Sequence, residues 1–159
     1  MNTLLNYEEV KLKMEKWCVY QERCIFDFNT KIKSFSLKEN EIKNLLQHLL
    51  NHKFIDEIRY VEAIISGKKT QKKWGKNKIV YFLKSKNISI KQFEKLINNI
   101  VDENYHQNLH KLMIIKWNSF KDKYSVFERK SKLFNYLLSK GYTSDQIQEA
   151  LSKYQKEIL

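Results

Sequence analysis

The stretch KLFNYLLSKGYTSDQIQEAL, residues 132–151, contains a helix, a joint and a second helix. Before the joint, Leu133 and Leu137 are four residues apart, and after it Ile147 and Leu151 repeat that spacing. Apolar residues at intervals of four lie on one face of an α-helix. The stretch therefore predicts two amphipathic helices that pack against a common core.

The joint between these helices carries its own signals. Gly141 tolerates the left-handed conformation that ends a helix. Thr143 and Gln146 form a capping box, in which the threonine hydroxyl and the glutamine side chain satisfy backbone N–H groups at the start of the next helix. The sequence therefore predicts a helix end at Gly141 and a new helix directly after Thr143.

The same pattern occurs in two earlier stretches, residues 27–46 (DFNTKIKSFSLKENEIKNLL) and 78–97 (KIVYFLKSKNISIKQFEKLI). Repetition at a fixed period is the signature of a repeat architecture. Five apolar positions superpose in the three copies: Phe28, Ile79 and Leu133; Ile32, Leu83 and Leu137; Leu37, Ile88 and Tyr142; Ile42, Phe93 and Ile147; Leu46, Ile97 and Leu151.

The joints of the two earlier copies match this pattern to different degrees. Asn87 replaces the glycine in the second copy and tolerates the same conformation, whereas Ser36 in the first copy is less suited to it. Ser89 and Gln92 repeat the capping box of the third copy. The first copy has Lys38 at the cap position, so its helix is expected to begin less sharply, capped by Ser36 or Asn40.

A further helix precedes each copy. Val10, Met14 and Trp17 mark an apolar stripe before the first, and Asp56 and Asp102 are predicted N-caps before the other two. The prediction is an all-α, elongated and curved array of three tandem three-helix repeats, which share apolar surface with their neighbours. A single irregular helical bundle is the alternative. The predicted repeats are 5–53, 54–100 and 101–159.

Composition agrees with helices and indicates a polyanionic partner. The 159 residues include no proline and three glycines, and the formal net charge is +12. Such a charge favours nucleic acid or an acidic protein surface. The excess of lysine over arginine has a second explanation, because an AT-rich genome encodes lysine, asparagine and isoleucine regardless of function.

Catalytic and metal-binding patterns do not emerge from the sequence. The spacing of Cys18 and Cys24 fits neither a metal site nor a disulfide framework. Two histidine pairs at helical spacing, His48/His52 and His106/His110, lack further ligands nearby in the sequence. We therefore expect a cytoplasmic protein that is not an enzyme, uses no cofactor or metal, does not span a membrane and is a monomer.

The positive charge is concentrated between Lys68 and Lys78, which we call the basic segment. It contains six lysines and no acidic residue, with Trp74 and Gly75 between them. The pattern predicts that Lys68–Lys73 end a helix and continue into a solvated connector. Trp74–Ile79 would begin the next helix, with Ile79 on the core face.

The surroundings of the basic segment resemble a known family. IDEIRY at 55–60, WGKNKI at 74–79 and LKSKNI at 83–88 are similar to the middle repeat of RecX, the bacterial regulator of the RecA recombinase. Residues 22–24, Glu-Arg-Cys, resemble the first repeat, and residues 132–151 resemble the closing one. The resemblance covers essentially the whole chain, and it is carried by order, spacing and repetition together.

The resemblance implies a helical modulator of RecA, acting in DNA repair and recombination and in the SOS response. Members of the family bind RecA filaments on single-stranded DNA, lie in the filament groove and inhibit ATP hydrolysis, strand exchange and coprotease activity. Direct contact with DNA is left open. Val61 departs from the family pattern, which usually has alanine there, and the stretch before Trp74 is richer in lysine than in relatives.

The site residues are assigned by matching to the family motif and by charge. Arg59 is predicted either to contact the partner or to pair with an acid inside the fold. Asp56, Tyr60, Trp74 and Gly75 are interpreted as structural, with base stacking as the alternative for the two aromatic residues. The predicted partner-binding or DNA-binding residues are Arg59, Lys68, Lys69, Lys72, Lys73, Lys76 and Lys78.

Two other functions compete with RecA regulation. A general nucleic-acid-binding repeat protein without a RecA partner would follow from the charge alone, and it would bind naked DNA with a steep salt dependence. A protein-interaction adaptor with incidental basicity would keep its partner after charge reversal of Lys68, Lys69, Lys72 and Lys73.

Overall fold

The computed structural model describes residues 5–121 and 123–154, and this part of the chain folds into α-helices without strands. The prediction of an all-α fold is therefore confirmed. A short 3-10 helix, Ile32–Ser34, follows the second α-helix. The α-helices are α1 Tyr7–Tyr20, α2 Ile25–Lys31, α3 Glu39–Asn51, α4 Glu57–Thr70, α5 Lys76–Ser85, α6 Glu94–Asn98, α7 Glu103–Ser119, α8 Val126–Ser139 and α9 Ser144–Lys153.

The chain divides into two compact units. The first ends at Ala63 and the second begins at Ile64, so that the boundary falls within α4. The first unit contains α1 to α3, which correspond to the predicted first repeat, and the second contains α5 to α9. The boundaries of the three repeats stay a prediction.

The core of the first unit differs in register from the prediction. Phe28 and Ile32 are buried as expected, but α3 buries Leu45 and Leu49, while Ile42 and Leu46 are half-buried beside them. These four residues form one broad apolar stripe on α3. Leu45 and Leu49, on one side of that stripe, are more deeply buried than the predicted Ile42 and Leu46 on the other side.

The joints after the second helix of each repeat follow their sequences. Asn87 has a φ of 56° and Gly141 a φ of 95°, so both occupy the predicted left-handed region. Ile88 N–H donates to the Leu83 carbonyl and Tyr142 N–H to the Leu137 carbonyl, which closes each helix end. In the first repeat the 3-10 turn takes the place of this arrangement.

The capping boxes differ between the copies. At α9, Thr143 Oγ1 accepts from Gln146 N–H at 3.3 Å and Gln146 Oε1 accepts from Thr143 N–H at 3.0 Å, as predicted. The prediction of a helix directly after Ser89 is wrong. Residues 90–93 form turns, and α6 begins only at Glu94. The Gln92 N–H to Ser89 Oγ distance of 3.4 Å is long, so the first turn is not closed.

The start of α3 also differs from the prediction. Neither Ser36 nor Asn40 caps it: Lys38 is the N-cap residue, and its side chain makes no capping bond. Its backbone N–H instead donates to Glu41 Oε2 at 2.8 Å. This helix therefore keeps only the acidic half of a capping box, and a lysine side chain has no acceptor with which to supply the other half.

Both units contain an arginine stacked on a tryptophan. In the first unit the Arg23 guanidinium lies 4.3 Å from the centre of the Trp17 ring. In the second unit Arg129 lies 3.8 Å from Trp117, and it also donates to the Trp117 carbonyl at 3.1 Å. A planar guanidinium can stack on a ring while its edge donates hydrogen bonds, which lysine cannot do. Two of the three arginines are therefore used to order the fold.

Candidate interface on the basic segment

The basic segment spans the end of α4, a connector and the start of α5, as the sequence predicted. α4 ends at Thr70, and α5 begins at Lys76 with Gly75 as its N-cap. Ile79 is buried on the core face, also as predicted. The segment lies within the second unit, so its geometry is set by α7, α8 and α9.

Trp74 organises two of the six lysines. Lys68 Nζ lies 4.8 Å and Lys78 Nζ 5.0 Å from the centre of its ring. Phe82 meets Trp74 edge-on at 6.1 Å and also lies 4.7 Å from Lys68 Nζ. A ring attracts a cation without neutralising it. The two ammonium groups are therefore held beside the ring with their charge available to an anion.

Lys69 has a different environment. Its Nζ donates to Asp102 Oδ2 at 2.6 Å, its side chain is only 14% exposed, and its carbonyl accepts from Asn108 Nδ2 at 3.1 Å. The Lys69 ammonium holds the pKa of the Asp102 carboxyl below its usual value. Lys69 therefore joins α4 to α7. Its predicted contact with a partner stays a prediction, and its charge already has an internal use.

Lys76 and Lys78 are fixed by polar contacts. Lys76 Nζ donates to Asn98 Oδ1 at 3.1 Å, and its backbone N–H donates to the Tyr105 hydroxyl at 3.1 Å. Lys78 Nζ donates to the Ser139 carbonyl at 2.9 Å. Both anchors are neutral acceptors, so both lysines retain their net charge.

The connector contains the other two lysines. Lys72 is exposed, and Lys73 is half-buried with a φ of 50°. The Lys73 carbonyl accepts from the Tyr142 hydroxyl at 3.0 Å. A backbone bond to a buried side chain restrains the connector, so it presents Lys72 from a defined position.

Gly75 explains how closely the connector approaches the third repeat. Its N–H donates to the Lys140 carbonyl at 2.7 Å, and a Cβ at this position would lie 2.3 Å from the Gly141 carbonyl carbon. Gly141 is equally crowded, since a Cβ there would lie 2.5 Å from Lys78 Cβ. Two glycines thus bring the backbones of the second and third repeats into contact. Gly75 therefore contributes to this packing, and its interpretation as a structural residue stays a prediction.

Arg59 lies in the first unit and makes the internal pair that the sequence left open. Its Nε and Nη2 donate to the two carboxylate oxygens of Glu22 at 3.1 and 3.2 Å, and Nη2 also donates to the Lys53 carbonyl at 2.8 Å. This fork-to-fork arrangement is the geometry that arginine favours. Its predicted contact with a partner stays a prediction.

Asp56 makes internal contacts and Tyr60 is buried in the first unit, which favours the structural interpretation of both. Asp56 Oδ1 accepts from the Ile58 and Arg59 N–H groups at 3.0 and 3.2 Å, which caps α4 as predicted. These two hydrogen bonds stabilise the charged carboxylate. The bond from the Arg59 backbone N–H contributes most to lowering the pKa of Asp56. Tyr60 is 2% exposed, and burial raises the pKa of its hydroxyl. A ring so deeply buried cannot stack on a base.

Sequence reasoning missed the residues that hold the basic segment from the third repeat. Tyr105 and Tyr142 are both buried, with ring centres 5.1 Å apart, and their hydroxyls bond to the connector and α5. Tyr142 belonged to the predicted set of apolar positions, and a buried tyrosine hydroxyl still needs a hydrogen-bond partner. The need for a hydrogen bond was a signal in the sequence, but it did not show which backbone group the hydroxyl would contact.

The basic segment offers electrostatic attraction to an anion. Five ammonium groups on one short segment have no acidic neighbour among the contacts described, and the sixth is paired with Asp102. Within residues 5–121 and 123–154, histidine, cysteine and acidic side chains do not gather into a group of three that could bind a metal. No helix in the described part of the chain is long and apolar enough to cross a membrane.

Comparison with known proteins first matches the C-terminal part of the chain. Residues 102–151 match the family model described as RecX, third three-helix domain. The matched range covers α7, α8 and α9, which the sequence assigned to the third repeat.

Curated relatives extend the match to most of the chain. The regulatory protein RecX of Finegoldia magna is 28% identical over 94% of this chain and 69% of its own length. The regulatory protein RecX of Clostridium perfringens strain SM101 is 31% identical over 75% of this chain and 56% of its own length. The chain therefore spans between about half and about two thirds of these relatives.

Solved structures share the fold. The crystal structure of RecX from Lactobacillus salivarius aligns with a TM-score of 0.79 at 19% identity, covering 94% of this chain and 97% of that one. A crystal structure of regulatory protein RecX aligns with a TM-score of 0.77 at 18% identity, covering 95% of this chain and 81% of that one. The matched domain and the curated relatives place the chain in the RecX family of regulatory proteins.

Proposed function

We propose that this chain regulates a RecA recombinase by binding its filament on single-stranded DNA, and that it lowers ATP hydrolysis, strand exchange and coprotease activity. The observation that carries the proposal is the basic segment, where five lysines have no acidic partner among the contacts described, and where Trp74, Asn98 and the Ser139 carbonyl fix the positions of three of them, Lys68, Lys76 and Lys78. A preorganised row of cations binds a polyanion at a smaller entropic cost than mobile lysines do.

The same segment fits an acidic protein surface or the DNA phosphates of a filament. Lysine is a point charge without the fork of arginine, so its contacts give attraction rather than geometric readout. We therefore expect the affinity to fall with salt and to depend weakly on DNA sequence. We also propose that the protein is cytoplasmic and monomeric, and the charge of +12 supports the monomer, because two such chains repel each other.

The test is the ATPase of the cognate RecA on single-stranded DNA. Substoichiometric amounts of the protein should reduce the rate, and Lys72→Gln with Lys73→Gln should weaken the inhibition by about tenfold in required concentration. The matched control replaces Lys95 and Lys111, two exposed lysines of the same unit, with glutamine. Unchanged ATPase across a wide concentration range would exclude the proposal.

General binding to nucleic acid is the second candidate, supported by the absence of acidic residues between Lys68 and Lys78. Cosedimentation with RecA–DNA filaments and with the same DNA alone separates the two functions. Equal binding to both, with the same salt dependence, would favour the general nucleic-acid-binding function. Binding that survives charge reversal of Lys68, Lys69, Lys72 and Lys73 would instead favour an adaptor.

A further inference from the structure

Helix α8 has a second apolar face in addition to its core face. Leu133 and Leu137 are fully buried and form the core face. Phe127, Phe134 and Leu138 recur at spacings of seven and four, which places them together on another side of the helix. Phe127 is 79% exposed, Leu138 is 41% exposed and Phe134 is half-buried. We call Phe127, Lys130, Phe134 and Leu138 the α8 outer face.

Two more apolar side chains near the N-terminal end of α8 are exposed. Val126 is 53% and Tyr124 is 40% exposed. A stable helix needs one apolar stripe for its core, so a second one that includes a largely exposed phenylalanine requires another explanation. Contiguous exposed apolar surface marks an interaction site.

The charge around the α8 outer face is strongly positive. Between Lys116 and Lys140 the sequence has seven basic and two acidic residues. Of the acidic ones, Glu128 is used in the N-terminal cap of α8, where its carboxylate accepts from the Ser125 N–H and hydroxyl at 2.9 and 2.7 Å, and Asp122 lies outside the described residues. Arg129 is held by Trp117. The exposed lysines beside the face are Lys121, Lys123 and Lys132, and Lys130 lies within it.

The aromatic rings here distinguish between nucleic acid and protein as the partner. Single-stranded nucleic acid stacks its bases on open ring faces. Lys132 Nζ lies 4.3 Å from the centre of the Tyr124 ring, and Lys116 Nζ lies 4.9 Å from the centre of the Phe120 ring. The Phe120 and Tyr124 rings meet edge-on, with their centres 5.7 Å apart. Cations and a neighbouring ring therefore occupy part of the surface of Tyr124 and Phe120, and bases stacking on these two rings would have to displace them. Val126 and Leu138 are aliphatic and suit an apolar side chain instead.

We propose that the α8 outer face binds an amphipathic, acidic helix of a partner protein. The apolar side chains of that helix pack on Phe127, Phe134 and Leu138, and its carboxylates face the surrounding lysines. A second copy of this chain does not fit, because it carries the same charge of +12. The proposal does not depend on regulation of RecA, since α8 outer-face binding is measured without RecA.

The test measures fluorescence anisotropy with two labelled synthetic peptides of identical composition. One has leucines at helical spacing among glutamates, and the other has the leucines scattered. The wild-type protein should bind the amphipathic peptide about tenfold more tightly than the scattered one, and Phe127→Ser should remove that preference. Tyr81→Ser is the matched control, because Tyr81 is 76% exposed on α5 in the same unit.

Three results would overturn the proposal. The first is equal binding of the two peptides, or a preference that survives Phe127→Ser. The second is a loss of oligo-dT binding in Phe127→Ser while peptide binding is unchanged, which would make the face a nucleic-acid site. The third is a wild-type dimer in sedimentation that Phe127→Ser converts to a monomer, which would make the occupant a second copy. Far-UV circular dichroism of each variant confirms that it is folded.

Discussion

The joints at Asn87 and Gly141 have the same sequence pattern and different structural roles. Both end a helix in the left-handed conformation, and both are followed two residues later by a hydroxyl residue at a predicted cap. At Gly141 the backbone also contacts Gly75, and a regular ten-residue helix follows. At Asn87 only the local helix-ending bonds are described, and the helix that follows has five residues. One local pattern can therefore end a helix without determining what surrounds it.

The two joints should differ most in the stability that each loses when its Asn87 or Gly141 is replaced by alanine. Gly141→Ala places a Cβ 2.5 Å from Lys78 Cβ and forces an unfavourable φ, so we expect a loss of about 3 kcal/mol or more in the free energy of unfolding. Asn87→Ala should cost only about 1 kcal/mol, because backbone strain is its main cost. Urea unfolding followed by circular dichroism measures both.

Gly67→Ala is the control for these variants. Gly67 lies in α4 with nothing within 4 Å of an added Cβ, so alanine should stabilise the protein by up to about 1 kcal/mol. If Gly141→Ala costs no more than Asn87→Ala, the backbone contact with Gly75 does not stabilise the third repeat.

The two caps should differ by a smaller amount. Thr143→Ala removes a closed capping box and should cost about 1 kcal/mol of unfolding free energy. Ser89→Ala should cost roughly 0.3 kcal/mol or less, since its bond to Gln92 is long and no regular first turn follows it. Thermal unfolding of the two variants compares them, and a larger effect at Ser89 would contradict the difference that we describe.

The smallest effect concerns the acids that open the first helices of the second and third repeats. Both Asp56 and Asp102 have pKa values below the usual 3.8. The free energy of unfolding that these two carboxylates contribute is therefore fully present above that pH. It is lost as the pH falls through their lower pKa values in the folded protein. Asp102→Asn should make stability less dependent on pH between about pH 5 and pH 2, measured as the urea midpoint.

Lys69→Met separates the causes of these two shifts. The Lys69 ion pair is the largest cause at Asp102, whereas the Arg59 backbone N–H is the largest cause at Asp56. Removing Lys69 should therefore abolish most of the acid dependence that Asp102 contributes. An unchanged acid dependence in Lys69→Met would show that the backbone cap alone stabilises the Asp102 carboxylate.

Much of the fold could be predicted because its signals are local. The left-handed positions at Asn87 and Gly141, the Thr143 cap and the buried Ile79 follow from residue type and helical spacing. The register of α3 could not be predicted, because four apolar residues gave a stripe wider than the core face. Deciding which of them faces inward requires the position of the neighbouring helix.

The candidate site shows a similar limit. The sequence located the basic segment and its helix boundaries, since these depend on neighbouring residues. It did not distinguish Lys69, which pairs with Asp102, from Lys68, which lies over Trp74. That distinction depends on contacts between residues far apart in the chain, and adjacent lysines look alike in a sequence.

The contact between Gly75 and Gly141 has a consequence for how these repeats can evolve. At each position the backbone of the other repeat leaves no room for a Cβ, so any residue other than glycine would clash there. A single substitution of a neighbouring side chain does not remove a clash with backbone atoms. Asn87 occupies the equivalent joint of the second repeat and is exposed, which leaves it open to exchange. After a duplication of such a repeat, one copy of the joint would be fixed while the other remained free to diverge.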